Sequence, residues 1–481
     1  MKKTLILALA LALVGGVAYA NFCARDYVPA ATLLVPYAVV DLDATNVPNP
    51  SGYTTLLAVT NVSSSKQLIH VVVWAADSSH VVDFDEVLSG YDVWTINFRD
   101  LLTGSFNLFD TGDSTKPWKD DGSGPKPGSV PPWPQVGDFV TGTSFSAGAV
   151  PWGPTSNSYT TPLPVQQDID FAHATMDVNC NFPYGNLSSY GPTIVTMLQD
   201  AIVTDDQDTT PCKSATVANP PWLANLTTKP VFFYVTVDVV NECNQNFPDE
   251  DTYWTGGFPS LNNVIIGDII YLNQTANFSE SVPAVSIEAD GANATTVGFY
   301  SRYSDVASVA DFHEPLGTAF AFRYFNSGGI TSNLMLWKTT FDMFTAAKVD
   351  YFWACHPYIY FAFDENENSK ARGGGGPSGF LTAEPNVIPF ETQKVPLDVA
   401  NWNGLMANNG WMLLVFDPSI RVTITGPTDP VEYTYLQAWA GVQYYFGTYS
   451  TALEAATLGN FYCNPAEVLP LLNTYVGAAT P

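Results

Sequence analysis

The chain has 481 residues, 46% of them hydrophobic and 14% aromatic, which is enough for more than one packed domain. Only 13% are charged, and 46 acidic against 18 basic side chains give a formal net charge of −28. That balance excludes nucleic acid and anionic membrane surfaces as partners, and it leaves a surface solvated mainly by Asn, Thr, Ser and Gln.

Met1–Ala20 reads as a secretory signal peptide, with Lys2 and Lys3, an apolar stretch over Leu5–Val14, and a small-x-small cleavage site at Ala18-Tyr19-Ala20. No later run reaches the ~18 apolar residues of a membrane span. The expected location is extracellular or at the outer cell surface, with the periplasm as the other compartment open to it.

Ala31–Leu42 has the composition of a strand, and Pro36 within it points to an edge or a bulge. Four strands follow in Thr54–Leu102: Thr54–Thr60, Leu68–Trp74, Val81–Phe84 and Asp92–Phe98. They are rich in Val, Leu, Ile and Thr and are separated by Asn, Ser and Gly turns. Short, evenly spaced strands of this kind mark an antiparallel sandwich. From Thr103 to about Leu226 the texture changes to a Pro-, Gly- and Trp-punctuated insertion, whose Trp118, Trp133 and Trp152 could form a sugar-stacking platform or pin an irregular loop to the sheets. Inside it, Tyr190–Val203 places Ile194, Val195, Leu198, Ala201 and Ile202 at helical spacing. Strands return at Val231–Val240, Asn263–Leu272 and Ala284–Ala289.

The pattern then begins again. Thr318–Ser327 resembles Thr54–Ser63, Leu334–Trp337 echoes Val71–Trp74, and Phe361–Glu365 echoes Val82–Glu86. Phe390–Val395 echoes Val93–Phe98, Trp439–Phe446 lines up with Ile265–Leu272, and Leu453–Ala455 with Ile287–Ala289. The expected fold is therefore all-β, with two tandem immunoglobulin-like antiparallel β-sandwiches. After the leader (1–20), the first (21–292) carries the insertion 103–226. The second (293–481) has only the flexible Arg372–Gly379 in a comparable place and ends in a short helix after Cys463.

Six cysteines in an exported chain point to disulfides. Cys180 and Cys212 bracket the helix, Cys355 and Cys463 share the second repeat, and Cys23 and Cys243 remain for the first. Catalytic constellations fail one by one. Asp110-Thr111-Gly112 lacks the second such motif an aspartic protease needs. Gly142-Thr143-Ser144 has no histidine motif upstream to activate it. His70, His80, His173, His313 and His356 form no metal-protease spacing, and His70 within a strand is expected to be structural. Asp311-Phe312-His313-Glu314 is the densest polar cluster near an element end. Asp364, Asn366 and Asn368 imitate the start of an EF-hand loop and make calcium the one cofactor considered. Ser369 replaces its turn glycine, however, and Gly375 its closing glutamate, so a solvated loop competes with that reading.

The phrases ATLLVPY, TTLLAVTNVS, HVVVW, VDFDEVLSGYDVWTINFRDLL, VTVDVVNEC, HEPLGTAFAFRYFN, FDENEN and PFETQKVPL resemble a group of uncharacterised secreted proteins of Gram-negative bacteria. The resemblance implies export and a duplicated sandwich but no activity. The function expected is a structural or adhesive role at the cell surface, with the protein itself, other surface proteins or a polysaccharide as partner. The alternative is a carbohydrate-binding protein or glycoside hydrolase built on the three insertion tryptophans.

Overall fold

The computed structural model describes most of residues 25–103, 191–203, 230–289, 298–300, 311–339, 358–374, 388–416 and 437–457, together with short strands within 169–181 and 422–433. The leader, the terminal helix expected after Cys463, and Trp118, Trp133 and Trp152 lie outside the described residues. So do the cysteine side chains; of Cys180 only the backbone is described.

β1 (Arg25–Asp26) is followed by β2 (Thr32–Val40), which is buried along its whole length. Pro36 sits where the register of β2 shifts against a neighbouring strand, so the bulge accommodates its missing N–H. β3 (Tyr53–Asn61), β4 (Gln67–Ala75), β5 (His80–Leu88) and β6 (Val93–Asn97) are the four strands that the Val/Leu/Thr pattern predicts. Asn61 ties their turns together: its Oδ1 accepts from Ser63 N, and its Nδ2 donates to Ser65 O and Ser89 O. α1 (Phe98–Leu102) is capped by the Asn97 side chain. β7 (Ile169–Asp170) and the hairpin of β8 (Ala174–Met176) and β9 (Asn179–Asn181) precede α2 (Gly191–Val203). In α2 the five apolar residues read from the sequence are all buried. β10 (Val231–Val240), α3 (Asp251–Thr255), β11 (Ile265–Asn273), β12 (Phe278–Pro283) and β13 (Val285–Ile287) complete the first half.

The second half contains β14 (Ala319–Phe325), β15 (Ile330–Lys338), β16 (Tyr358–Asp364), β17 (Ser369–Gly374), β18 (Thr392–Pro396) and β19 (Asn409–Phe416). A small hairpin of β20 (Val422–Thr425) and β21 (Pro430–Tyr433) precedes β22 (Ala438–Phe446), β23 (Tyr449–Glu454) and β24 (Ala456–Thr457). Arg372–Gly374, read from the sequence as part of a flexible stretch, belongs to β17 and pairs with β16.

Four sheets result. Sheet A runs β1-β13-β2-β10-β4-β5-β7, sheet B β12-β11-β3-β6, sheet C β17-β16-β19-β14-β24 and sheet D β18-β15-β22-β23. All their pairings are antiparallel except β5 with β7. Matching β2 to β14 and proceeding strand by strand pairs β3 with β15, β4 with β16, β5 with β17 and β6 with β18. Continuing with β10 and β19, β11 and β22, β12 and β23, and β13 and β24 converts the common part of A into C and the whole of B into D.

The sequence matching of Thr318–Ser327 to Thr54–Ser63, and of the two segments after it, is one strand out of step with this order. The Leu453–Ala455 match joins the end of β23 to that of β13, again one strand out. Neighbouring strands of an all-β chain share the same alternation, so an ending in Trp or Asp-Glu does not mark position.

Sheet A packs on B and sheet D on C, and the face of D turned away from C meets both A and the β12 side of B. One face of A packs on B and α2: Phe84 tilts against Trp94, and Gly267 leaves room for Leu33, whose Cδ1 would lie 2.8 Å from a Cβ placed there. The opposite face meets D, where Phe232 is edge-on to Phe390 at 5.5 Å and Tyr234 to Trp337 at 5.9 Å. Thr392 Oγ1 also donates to Pro36 O, the carbonyl at the bulge, at 2.6 Å. Buried apolar residues of both halves form one continuous cluster.

Candidate functional site

The outward face of A carries a polar row. Thr32, Asp238, His70 and Asp85 are cross-strand neighbours on β2, β10, β4 and β5, so the pleat places them on one face. All four are buried. A buried carboxylate is costly unless hydrogen-bonded. Asp238 accepts three hydroxyls, from Thr32 Oγ1 and Tyr253 Oη at 2.7 Å and from Tyr300 Oη at 2.6 Å. His70 Nδ1 lies 2.6 Å from Asp85 Oδ1, while its Nε2 has no hydrogen-bond partner among the described residues and lies 3.9 Å from Asp83 Oδ2.

Next to this row His313 Nδ1 lies 2.9 Å from Asp311 Oδ1, and Asp311 Oδ2 accepts from Tyr300 N. Burial alone would lower the His313 pKa, but the hydrogen bond and charge of Asp311, with Asp238 beyond, hold it above the ordinary value. Burial, and then the Asp238 charge, pushes the Tyr253 hydroxyl well up. Tyr253 of α3, Tyr300 and His313 thus lie against the outward face of A with their hydroxyls and imidazole. The chemistry of this cluster is internal, joining strands, α3 and the connection between the halves. A shallow cavity of about 170 Å³, floored by Leu68, Val87 and Val240 and rimmed by Lys66, Asn241 and Asn262, opens one residue pair further along the same strands.

Where sheets B and D approach, Lys394 is enclosed by aromatic rings. Its Nζ is 5.3 Å from the centroid of Tyr53, 5.7 Å from Tyr37 and 5.8 Å from Tyr445, and it donates to Tyr445 Oη. Burial lowers its pKa, partly offset by Glu280 and Asp41. Gln443 Nε2 donates to Glu280 Oε1 beside it.

Among the described residues, aromatic side chains gather in solvent at two places, the β22–β23 turn, where Phe446 and Tyr449 are paired and exposed, and part of the outward face of C. Arg323, Trp411 and Phe363 are in register across β14, β19 and β16. Phe363 and Trp411 stack at 3.9 Å with an interplanar angle of 3°. Trp411 is 39% exposed and Phe325, the next outward residue on β14, 38%. A flat, solvent-facing aromatic pair beside a guanidinium can take a protein surface or a sugar ring.

Asp364, Asn366 and Asn368 form the tip between β16 and β17. Asp364 Oδ1 accepts from the backbone N–H of Asn366 and Asn368, and its Oδ2 from Asn368 Nδ2. These bonds, the Asn368 side chain first, hold the carboxylate below its usual pKa, so its oxygens already serve the turn. Among the described residues no group of three or more His, Cys, Asp or Glu is placed to hold a metal. The sequence reading singled out the 311–314 cluster and His70 but missed Asp238, Tyr253 and Tyr300. The available signal was Asp238 itself, a lone acid inside the apolar run VFFYVTVDVV. No helix among the described residues is long and apolar enough to cross a membrane. No family model and no curated protein matches the chain.

Proposed function

We propose that the chain is an exported, non-catalytic structural or adhesive protein that works by associating with itself or with other surface proteins. The observation that carries this reading is a set of partly exposed aromatic rings, Trp411 and Phe325 beside Arg323 on sheet C and Phe446 with Tyr449 on sheet D, while Asp238, Asp85 and Asp311 are hydrogen-bonded inside the fold. The leader-like segment and the resemblance to secreted Gram-negative proteins support export. Each half is read as an immunoglobulin-like sandwich. Its second strand pairs with the fifth-position strand and its third with the sixth, as in that fold, although its first strand lies beside the sixth-position strand.

Light scattering and sedimentation of the exported chain over a wide concentration range, with and without calcium, test the proposal. Concentration-dependent growth in mass supports it, and a monomer throughout defeats it. The second reading, polysaccharide binding, draws on the same flat Trp411–Phe363 pair. In that case Trp411→Ala abolishes retention on a polysaccharide matrix and leaves sedimentation unchanged.

A further inference from the structure

Histidine is scarce in this chain, with five residues in 481. His70, His80 and His313 are the three whose surroundings are described, and all three gather on the outward face of sheet A or on the residues lying against it. Each presents Nδ1 to an aspartate: His70 to Asp85 at 2.6 Å, His80 to Asp249 at 2.9 Å and His313 to Asp311 at 2.9 Å. His70, His313 and their two aspartates are buried, and His80 and Asp249 are largely so.

These pairs join the sheet to what lies over it. His80 stands on β5 opposite Trp74, and its ring stacks on Phe247 at 3.9 Å, so it holds Phe247–Asp249 against the sheet. His70 on β4 lies under Tyr253 of α3, whose hydroxyl donates to Asp238. His313 is edge-on to Tyr300 and to Trp254 of α3, and Trp254 Nε1 donates to Pro248 O. Asp311 also accepts from the backbone N–H of Tyr300 and of His313, and its carboxyl group leaves no room for a Cβ at Gly298.

The layer is rich in acids. Asp83 and Asp85 on β5, Asp238 on β10, Asp249 before α3 and Asp311 beside His313 all belong to it, with the phenols of Tyr253 and Tyr300 between them. His70 Nε2 lies 3.9 Å from Asp83 Oδ2, and the half-buried Glu288 and Glu314 stand at the border. A protonated imidazole offsets this negative charge and a neutral one does not.

We infer that the layer is a pH-sensitive clasp: protonated imidazoles hold α3 and the Tyr300–His313 contact on sheet A, and their loss of charge at higher pH lets α3 leave the sheet while sheet B stays folded. The inference stands apart from the proposed self-association. Burial works against the charged form of His313, but the hydrogen bond and charge of Asp311, with Asp238 beyond, hold its pKa above 6.5. The stability that charged His313 contributes is therefore full below 6.5 and is lost as pH rises through the higher value of the folded protein.

Hydrogen exchange of the full exported chain tests the clasp, read peptide by peptide by mass spectrometry between pH 5 and pH 8 and corrected for intrinsic rates. Opening of the peptide that contains α3 is expected to rise about tenfold across this range, while the peptides of β3 and β11 in sheet B keep their protection. Glu86→Gln serves as the background, because the buried Glu86 carboxyl, raised to about 8, titrates in the same range. His313→Gln in that background is expected to lose most of the response and to open at pH 5 as readily as the parent does at pH 8. An α3 peptide whose opening does not change with pH, or changes no more than the β3 and β11 peptides, overturns the clasp whether or not the variant folds. So does a folded His313→Gln variant that keeps the full response.

Discussion

Sheets A and C have the same strand order, yet they carry opposite kinds of outward face. In A that face is a buried row of Thr32, Asp238, His70 and Asp85, sealed by Tyr253, Tyr300 and sheet D. In C it carries Arg323, Trp411 and Phe363, with Trp411 and Phe325 partly exposed and Phe361 and Val415 on the same face buried. The contrast shows that strand order leaves the outward face free to specialise. Once a face is covered, its polar groups need partners supplied by the chain; an uncovered face can leave an arginine to water.

The comparison breaks most decisively at the aromatic contact between A and D. Trp337→Ala removes a fully buried ring that packs on Tyr234 and Phe299, and is expected to cost about 3–5 kcal/mol in chemical denaturation. A loss below roughly 1 kcal/mol would mean that the A–D contact is not part of the folded core. Asp238→Ala is next. It strips the acceptor from three buried hydroxyls, and about 3 kcal/mol of stability should go with it. Replacing Tyr253 and Tyr300 with Phe in the same variant should recover part of that loss, because the orphaned hydroxyls go too.

Glu86, on the face of A turned toward B, sharpens the contrast through pH. Burial raises its carboxyl from the ordinary value of 4.5 to about 8, outweighing the hydrogen bond it accepts from Val87 N. Between these values the folded protein keeps a proton that the unfolded chain has released. The stability it contributes is therefore full at acidic pH and is lost as pH rises toward 8. Glu86→Gln should flatten that slope, and unfolding midpoints measured from pH 5 to pH 8 that decline equally in both proteins would refute the assignment.

Thr392→Val, which deletes the single hydrogen bond to the carbonyl at the Pro36 bulge, should cost about 1 kcal/mol by the same denaturation assay. Smallest is the effect of Trp411→Ala on folding. At this half-open counterpart of the buried face the change is expected to stay within about 1 kcal/mol, while association falls. A loss as large as that of Trp337→Ala would show that the outward face of C is covered after all.

Much of this architecture is legible in local sequence because a strand's alternation is a direct record of its two environments. β3 and β11 alternate and have one covered face; VFFYVTVDVV in β10 is apolar almost throughout, and both its faces are covered. The spacing of Ile194, Val195, Leu198, Ala201 and Ile202 placed α2, and Pro36 announced its bulge. β12 escaped notice because FSESVP buries Phe278, Glu280 and Val282 while its serines face water, a pattern whose composition does not advertise a strand. The sequence also recorded a repeat, but not its phase, because any strand resembles the next one over. The phase, the meeting of Asp238 with Tyr253 and Tyr300, and the docking of A on D were decided by the tertiary structure. Alternation states that a face must be covered; which distant segment covers it depends on shape and hydrogen-bond fit between parts of the chain that share no local pattern.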